Sequence, residues 1–106
     1  MILNTIIHYI EENIDKQLSL TEVARLVGNS NSYVSHLFKK NLDKSFSQIV
    51  IEMKLNKADD YFRIMPDLSI SEVAYKSGYE DPLYFSRIYK KYRKISPKEF
   101  KKKLVG

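Results

Sequence analysis

Ile70-Ser71-Glu72-Val73-Ala74 repeats, fifty residues further on, the pattern of Leu20-Thr21-Glu22-Val23-Ala24. Two more matches follow in the same order: Gly28 returns as Gly78, and Ser35-His36-Leu37-Phe38-Lys39-Lys40 returns as Ser86-Arg87-Ile88-Tyr89-Lys90-Lys91. The offset is 50 residues up to the glycine and 51 after it, so the second turn holds one extra residue, where loops tolerate insertions best. Two copies are too few for a stacked repeat protein, which needs at least three units. The chain therefore contains a duplicated small motif.

Hydrophobic spacing and capping residues predict seven helices and no strand. The first helix is amphipathic, since apolar residues recur every three or four positions at Leu3, Ile6, Ile7, Ile10 and Ile14. Serine followed three residues later by Glu or Gln predicts further helix starts after Ser19, Ser45, Ser69 and Ser96. Pro66 ends the long middle helix, because proline cannot continue the hydrogen-bond ladder. The predicted helices span residues 2–15, 20–27, 31–41, 46–65, 70–77, 82–92 and 97–104.

These elements predict an all-α fold of two helix-turn-helix lobes with a homeodomain-like arrangement. We expect the first lobe at residues 1–45, the second at residues 66–106, and a linker helix at residues 46–65 that bridges them. The linker helix contains no glycine or internal proline, so we expect it to hold the two lobes in a fixed relation.

The composition narrows the class of protein. The 106 residues carry 18 Lys and Arg against 13 Asp and Glu, but residues 1–53 have a net charge of −1 and residues 54–106 a net charge of +6. The second copy therefore supplies the positive field, which favours polyanions. The lack of cysteine excludes disulfides, thiolate metal sites and thiol catalysis, and it fits a reducing cytoplasm. Since the sequence shows neither a membrane span nor a signal peptide, we expect a cytoplasmic protein without a membrane partner.

Each copy orders a short helix, a glycine turn and a second helix, and that second helix sorts into two faces. Gly28 and Gly78 stand where the chain reverses, a position that often needs positive φ. The inward faces are predicted to be Val34, Leu37 and Phe38 in the first copy and Phe85, Ile88 and Tyr89 in the second. The opposite faces, which we call the first and second outward stripes, are Ser32, Ser35, His36 and Lys39, and Leu83, Ser86, Arg87 and Lys90.

The outward stripes carry side chains that suit the major groove of DNA. Arginine donates hydrogen bonds to guanine O6 and N7, serine forms hydrogen bonds with several base edges, and an exposed leucine makes an apolar contact with a thymine methyl. Basic residues follow at or beyond the ends of these helices, where flanking phosphates would lie: Lys39, Lys40, Lys90, Lys91, Arg93 and Lys94. Each of these signals also has a purely structural explanation. Lysines stabilise the C-terminal ends of helices, and residues 101–103 could equally contact phosphate or form a solvated tail. Tyrosines can stack on bases, but Tyr79, Tyr84 and Tyr89 fall at the spacing of packing residues.

Taken together, these residues resemble the DNA-binding domain of the AraC/XylS class of bacterial transcription regulators. The most specific part is Ile70-Ser71-Glu72-Val73-Ala74-x-x-x-Gly78-Tyr79-x-Asp81-Pro82-x-Tyr84-Phe85-Ser86-Arg87, followed by Ile95-Ser96-Pro97-x-x-Phe100. The resemblance implies two recognition helices that enter successive major-groove segments on one DNA face. It places the base-reading positions on Ser32, Ser35 and His36 and on Leu83, Ser86 and Arg87. Lys54 stands where many members carry arginine, and we count it among the phosphate-binding candidates.

We therefore predict sequence-specific binding of double-stranded DNA, without catalysis, cofactor or metal. The adjacent acid pairs Asp59-Asp60 and Glu11-Glu12 point to different sides of a helix, and no histidine stands at metal-ligand spacing from a second ligand. The resemblance also implies a sensor or receiver domain in the full-length chain, with RNA polymerase as a candidate partner, so we expect either a fragment or a stand-alone member. The alternative function is a helical adaptor whose basic face binds an acidic protein.

Overall fold

The structure, a computed structural model, describes residues 2–105. These residues form seven helices and no strand, which confirms the predicted all-α class. The helices are α1 (Ile2–Glu12), α2 (Leu20–Leu26), α3 (Asn31–Leu42), α4 (Phe46–Ile64), α5 (Ile70–Lys76), α6 (Pro82–Arg93) and α7 (Pro97–Val105). Within residues 2–105, no helix is both long and apolar enough to cross a bilayer.

Only α1 departs from its predicted end by more than one residue, since it stops at Glu12 instead of residue 15. The Asn13 side-chain amide donates to the carbonyl oxygen of Tyr9 at 2.9 Å, and the Asn13 backbone N–H is shared between the carbonyls of Tyr9 and Ile10. Asparagine competes in this way for backbone groups and favours the end of a helix. Ile14 is nevertheless buried, so the predicted apolar face continues into the turn.

The chain divides into two compact units, Met1–Met53 and Lys54–Gly106, and the division falls within α4. Phe46 and Val50 of α4 are buried in the core of the first unit, and Leu55, Ala58 and Phe62 are buried in the part of α4 that belongs to the second. The predicted boundaries, with lobes at 1–45 and 66–106 and a linker at 46–65, stay a prediction. The packing shows that α4 contributes to both cores.

The core of the first unit is aliphatic with one aromatic pair. Ile6 and Ile10 from α1 are fully buried together with Val23 from α2 and Val34 and Phe38 from α3. Phe38 meets Phe46 edge to face, with ring centroids 5.8 Å apart. The predicted inward face of α3 is confirmed at Val34 and Phe38, whereas Leu37 is half-buried at its edge.

The core of the second unit is aromatic. Tyr89 and Phe85 from α6 are fully buried, and the Tyr89 ring lies 6.0 Å from Phe62 and 6.1 Å from Phe100, measured between centroids. Such offset and edge contacts stabilise a core beyond the area that they bury. They confirm the inward placement of Phe85 and Tyr89 and leave Ile88 half-buried at the margin.

Both glycine turns adopt the same left-handed ending. Gly28 has φ of 65° and Gly78 has φ of 92°, as the sequence predicts. In the second copy, the N–H of Gly78 donates to the carbonyl of Tyr75 and the N–H of Tyr79 donates to the carbonyl of Ala74, which is the Schellman pattern. The first copy repeats both bonds at equivalent positions. The two helix-turn-helix motifs therefore share one turn geometry, with the extra residue accommodated after the glycine.

The next helices, α3 and α6, also end alike. Asp43 after α3 and Lys94 after α6 both adopt positive φ, at 55° and 70°, and each N–H donates back into its helix. These two positions are 51 residues apart, the offset of the repeat. Both residues carry a side chain in a conformation that glycine adopts more easily.

Three of the four predicted capping boxes are complete. At Ser45, Ser69 and Ser96 the hydroxyl accepts from the backbone N–H three residues on, and the Gln or Glu at that position accepts from the serine N–H. At Ser19 only the first bond forms, which corrects the prediction of a complete box. The Glu22 carboxylate accepts instead from the hydroxyl of Tyr9, so it connects α2 to α1.

Candidate nucleic-acid interface

The first outward stripe is a continuous exposed surface on α3. Ser32, Ser35, His36 and Lys39 are all exposed, and they line an open depression together with Asn31, Ser45 and Phe46. The helix places these residues on one face because Val34 and Phe38 hold the other face in the core. The surface is polar and bears one lysine, so it offers hydrogen bonds with little charge.

The second outward stripe lies on α6, and all but one of its members are exposed. Leu83 is 75% exposed and Arg87 and Lys90 are exposed, whereas Ser86 is half-buried. Asp81 caps this helix by accepting from the N–H of Leu83 at 2.9 Å, and Pro82 follows in the first turn. An exposed leucine at a helix start does not contribute to the core. It therefore requires another explanation, and a contact with a thymine methyl is one.

Exposed lysines mark the ends of both helices. Lys39 and Lys40 lie in the last turn of α3, Lys90 and Lys91 lie in the last turn of α6, and Lys94 follows α6, all with exposed side chains. The tail on α7 is divided, because Lys101 is half-buried and donates to the carbonyl oxygen of Leu68 at 2.7 Å, whereas the two lysines after it are exposed. Lys101 thus has a structural role at the start of α5.

Lys54 lies in a different environment from the other phosphate candidates. Its side chain is 5% exposed, its ammonium donates to the carbonyl oxygen of Gly78 at 3.2 Å, and it lies 5.8 Å from the centroid of the Tyr79 ring. A buried ammonium engaged with a backbone carbonyl is poorly placed to meet a phosphate. The position of Lys54 therefore argues for a role in holding the α5–α6 turn and against the phosphate contact predicted from the sequence.

Arg93 is also engaged within the second unit. Its guanidinium pairs with Asp59 at 3.0 Å and donates to the side-chain oxygen of Asn56 at 2.7 Å, and its side chain is 26% exposed. The predicted phosphate contact of Arg93 would have to compete with this ion pair. The remaining candidates, the five exposed lysines at the ends of α3 and α6, form no ion pair with an acidic side chain among residues 2–105.

Tyrosines divide between core and surface. Tyr79 and Tyr89 are buried, as their spacing predicts, whereas Tyr84 packs against the core while remaining 45% exposed. It stands in the first turn of α6, where the centroid of its ring lies 6.2 Å from that of Tyr79. The hydroxyl of Tyr79 is buried and has no hydrogen-bond partner among residues 2–105. Burial accordingly raises the pKa of Tyr79 above that of a free phenol.

The sequence contained a signal for the burial of Asp59, although not for the partners that it binds. Asp59 follows Leu55 by four residues and precedes Phe62 by three, so it lies at apolar-face spacing on α4. Asp60, by contrast, is exposed and 3.8 Å from Arg63, which confirms that the adjacent pair points to different sides. Within residues 2–105, no three His, Asp or Glu side chains are grouped to hold a metal.

The fold and the two exposed stripes define a double helix-turn-helix domain. A family model described as a helix-turn-helix domain matches residues 23–103. The chain belongs to this family, and within it to the AraC type, which confirms the resemblance predicted from the sequence.

Relatives support the same assignment. The uncharacterized transcriptional regulatory protein YesN of Bacillus subtilis is 40% identical over 75 residues, which cover 70% of this chain and 20% of that protein. The C-terminal domain of the two-component response regulator yesN from Fusobacterium nucleatum has a TM-score of 0.86 at 30% identity, covering 92% of this chain and 95% of that one. An AraC-type transcriptional regulator from Chromobacterium violaceum has a TM-score of 0.90 at 27% identity, covering 98% and 92%. The chain thus spans about a fifth of the curated YesN regulator.

Proposed function

We propose that this chain binds double-stranded DNA in a sequence-specific manner, as the DNA-binding domain of a bacterial transcription regulator. The observation that carries the proposal is the duplication of a largely exposed helix face behind an equivalent glycine turn. The first and second outward stripes occupy equivalent positions, and both lie opposite a buried apolar face. An adaptor for one acidic protein would leave the doubling of this surface unexplained.

The side chains have different proposed roles. Ser32, Ser35 and His36 on α3, and Leu83, Ser86 and Arg87 on α6, read base edges in two major-groove segments. Phosphates are bound by Lys39, Lys40, Lys90, Lys91 and Lys94, because these lysines are exposed at the helix ends. Lys54 and Arg93 are left out of this set, since both cations are engaged inside the second unit. The domain acts by binding, without a catalytic step.

The relatives support a proposal about a further domain of the full-length protein. The matched part of YesN is a fraction of a longer regulator, and the Fusobacterium domain belongs to a two-component response regulator. We propose that a sensor or receiver domain accompanies this domain in the cytoplasm, and that RNA polymerase is a further candidate partner. Co-purification of the polymerase with the DNA-bound full-length protein would test the second point.

Selection of duplexes from a random pool tests the function directly. The chain should enrich a site with two half-sites in tandem, and its affinity for that site should exceed its affinity for an unrelated duplex of equal length by at least about 10³-fold. A rise in affinity at lower salt is expected for both duplexes, because phosphate contacts release counterions. Failure to enrich any sequence, together with binding to an acidic protein surface, would favour the adaptor instead.

A further inference from the structure

A buried carboxylate, Asp59 on α4, is the centre of a hydrogen-bond network in the second unit. Its Oδ1 accepts from the Tyr89 hydroxyl at 2.5 Å, and its Oδ2 accepts from Nε of Arg93 at 3.0 Å. The guanidinium of Arg93 donates a second bond, from Nη2 to Oδ1 of Asn56 at 2.7 Å. Tyr89 and Arg93 lie one turn apart on α6, so the network joins the C-terminal half of that helix to α4.

The charges in this network balance. Tyr89 is fully buried, and its burial together with its bond to Asp59 raises the pKa of the phenol, which therefore stays protonated as a donor. The negative charge on Asp59 is then matched by the positive charge on Arg93. Because the Asp59 side chain is only 11% exposed, water screens this pair weakly.

The first copy lacks this network. Phe38 and Leu42 occupy the positions equivalent to Tyr89 and Arg93, so α3 offers no polar group at either place. Its position is fixed by apolar packing, including the contact between Phe38 and Phe46. The helix-turn-helix geometry thus forms in the first copy without a residue like Asp59. The presence of the network must therefore be explained by a feature of the second unit.

That feature is the position of Arg93. It is placed between Lys91 and Lys94, both exposed, at the end of α6 where phosphate contacts are proposed. We propose that Asp59 is a positioning residue that holds the Arg93 guanidinium away from DNA phosphates. This inference rests on the proposed function. A phosphate contact strengthens binding to every sequence alike, so holding Arg93 back limits the affinity for unrelated DNA and leaves the lysines to supply it.

Salt titrations of four variants test the inference on an unrelated duplex. Asp59→Asn keeps the shape and removes the charge, Arg93→Gln removes the guanidinium, the double variant removes both, and Asp60→Asn removes an exposed acid from the same helix as the matched control. We expect Asp59→Asn to steepen the slope of log affinity against log salt by about 0.9 and to raise affinity about eightfold at 0.1 M salt. The partner of Asp60, Arg63, is already 55% exposed, so Asp60→Asn should change the slope by much less, although it alters the net charge equally.

The Arg93 variants separate this role from a merely structural one. Arg93→Gln alone should leave the slope unchanged, and the double variant should lose the gain made by Asp59→Asn. A flatter slope in Arg93→Gln would overturn the inference, since Arg93 would then already contact phosphate. So would equal slopes in Asp59→Asn and the wild-type chain. Failure of the wild-type chain to bind any duplex would overturn the proposed function itself, which is a distinct result. Circular dichroism spectra should show that all four variants are folded.

Discussion

Arg87 differs from every other side chain on the two outward stripes because it carries a planar guanidinium fork. The other members offer a hydroxyl, an imidazole, an ammonium or a methyl surface. The fork makes two parallel hydrogen bonds to guanine O6 and N7 in a fixed planar geometry, which a flexible ammonium does not impose. The equivalent residue in the first copy is His36, whose imidazole cannot form this pair of parallel hydrogen bonds. At the scale of single residues, discrimination between bases should therefore be concentrated in the second copy.

We expect Arg87→Ala to cost roughly 1 to 3 kcal/mol on the selected site and to relax the preference at one base pair. Arg87→Lys is the matched control, because it keeps the charge and loses the fork. It should retain affinity for unrelated duplexes while losing the same base preference. Competition binding against single-pair variants of the site measures both. An equal loss of affinity on all sequences would identify Arg87 as a phosphate contact.

Tyr79 is a second residue with a measurable consequence, this time for stability. Its hydroxyl is buried without a partner among the described residues, and an unsatisfied polar group costs free energy in the folded state. Tyr79→Phe should therefore raise the free energy of unfolding by about 1 kcal/mol at neutral pH. Tyr75→Phe, at an exposed tyrosine, should leave it unchanged.

The same residue should affect alkaline unfolding. Burial raises the pKa of Tyr79 in the folded state, so above about pH 10 the unfolded phenol loses its proton while the folded one keeps it. The folded state then binds more protons, and stability falls as the pH rises. Tyr79→Phe should make this fall shallower in urea titrations between about pH 9 and about pH 11. An unchanged pH dependence would contradict the assignment.

At the scale of elements, α3 and α6 are equivalent in geometry but not in electrostatic surroundings. Both end in a lysine pair, Lys39-Lys40 and Lys90-Lys91, yet residues 1–53 carry a net −1 and residues 54–106 a net +6. We expect Lys90→Gln/Lys91→Gln to flatten the salt slope more than Lys39→Gln/Lys40→Gln, by roughly 0.9 for each additional phosphate that is no longer neutralised. Each double variant removes two charges, so total charge is controlled. Equal changes in slope would refute the asymmetry.

The elements were largely predictable from the sequence because their signals are local. Serine caps, the turn glycines and apolar spacing predicted all seven helices, and the end of α1 failed because Asn13 acts through its own side chain. The outward stripes followed from the same spacing. What could not be predicted was the internal use of charge. Lys54, Asp59 and Arg93 are held by partners 24 to 37 residues away along the chain, and a single sequence does not reveal such pairs.

At the scale of the whole molecule, the duplication of the motif leads to a prediction about DNA geometry. From the resemblance to the family we predict that the two motifs read half-sites about one turn of DNA apart, roughly 34 Å, on one face of the duplex. Inserting five base pairs between the half-sites would put them on opposite faces. Affinity should then fall to that of the better half-site, which we expect to be the one read by α6. Inserting ten base pairs restores the face but doubles the spacing and should not restore the affinity. Undiminished affinity on the five-pair insertion would show two independent motifs.

The two non-glycine residues with positive φ, Asp43 after α3 and Lys94 after α6, affect both thermal stability and DNA binding. Replacing Asp43 or Lys94 by glycine should each relieve backbone strain and add about 0.5 to 1 kcal/mol to the free energy of unfolding, with the smaller gain at aspartate, which tolerates this conformation better. Their effects on binding should be opposite. Asp43→Gly removes a negative charge beside the proposed phosphate contacts of α3 and should tighten binding, whereas Lys94→Gly removes a proposed phosphate-binding cation and should weaken it. The unfolding temperature and the duplex affinity should therefore both rise in Asp43→Gly, whereas in Lys94→Gly the unfolding temperature should rise and the affinity should fall. A more stable DNA-binding variant would thus carry the change at Asp43 and retain Lys94.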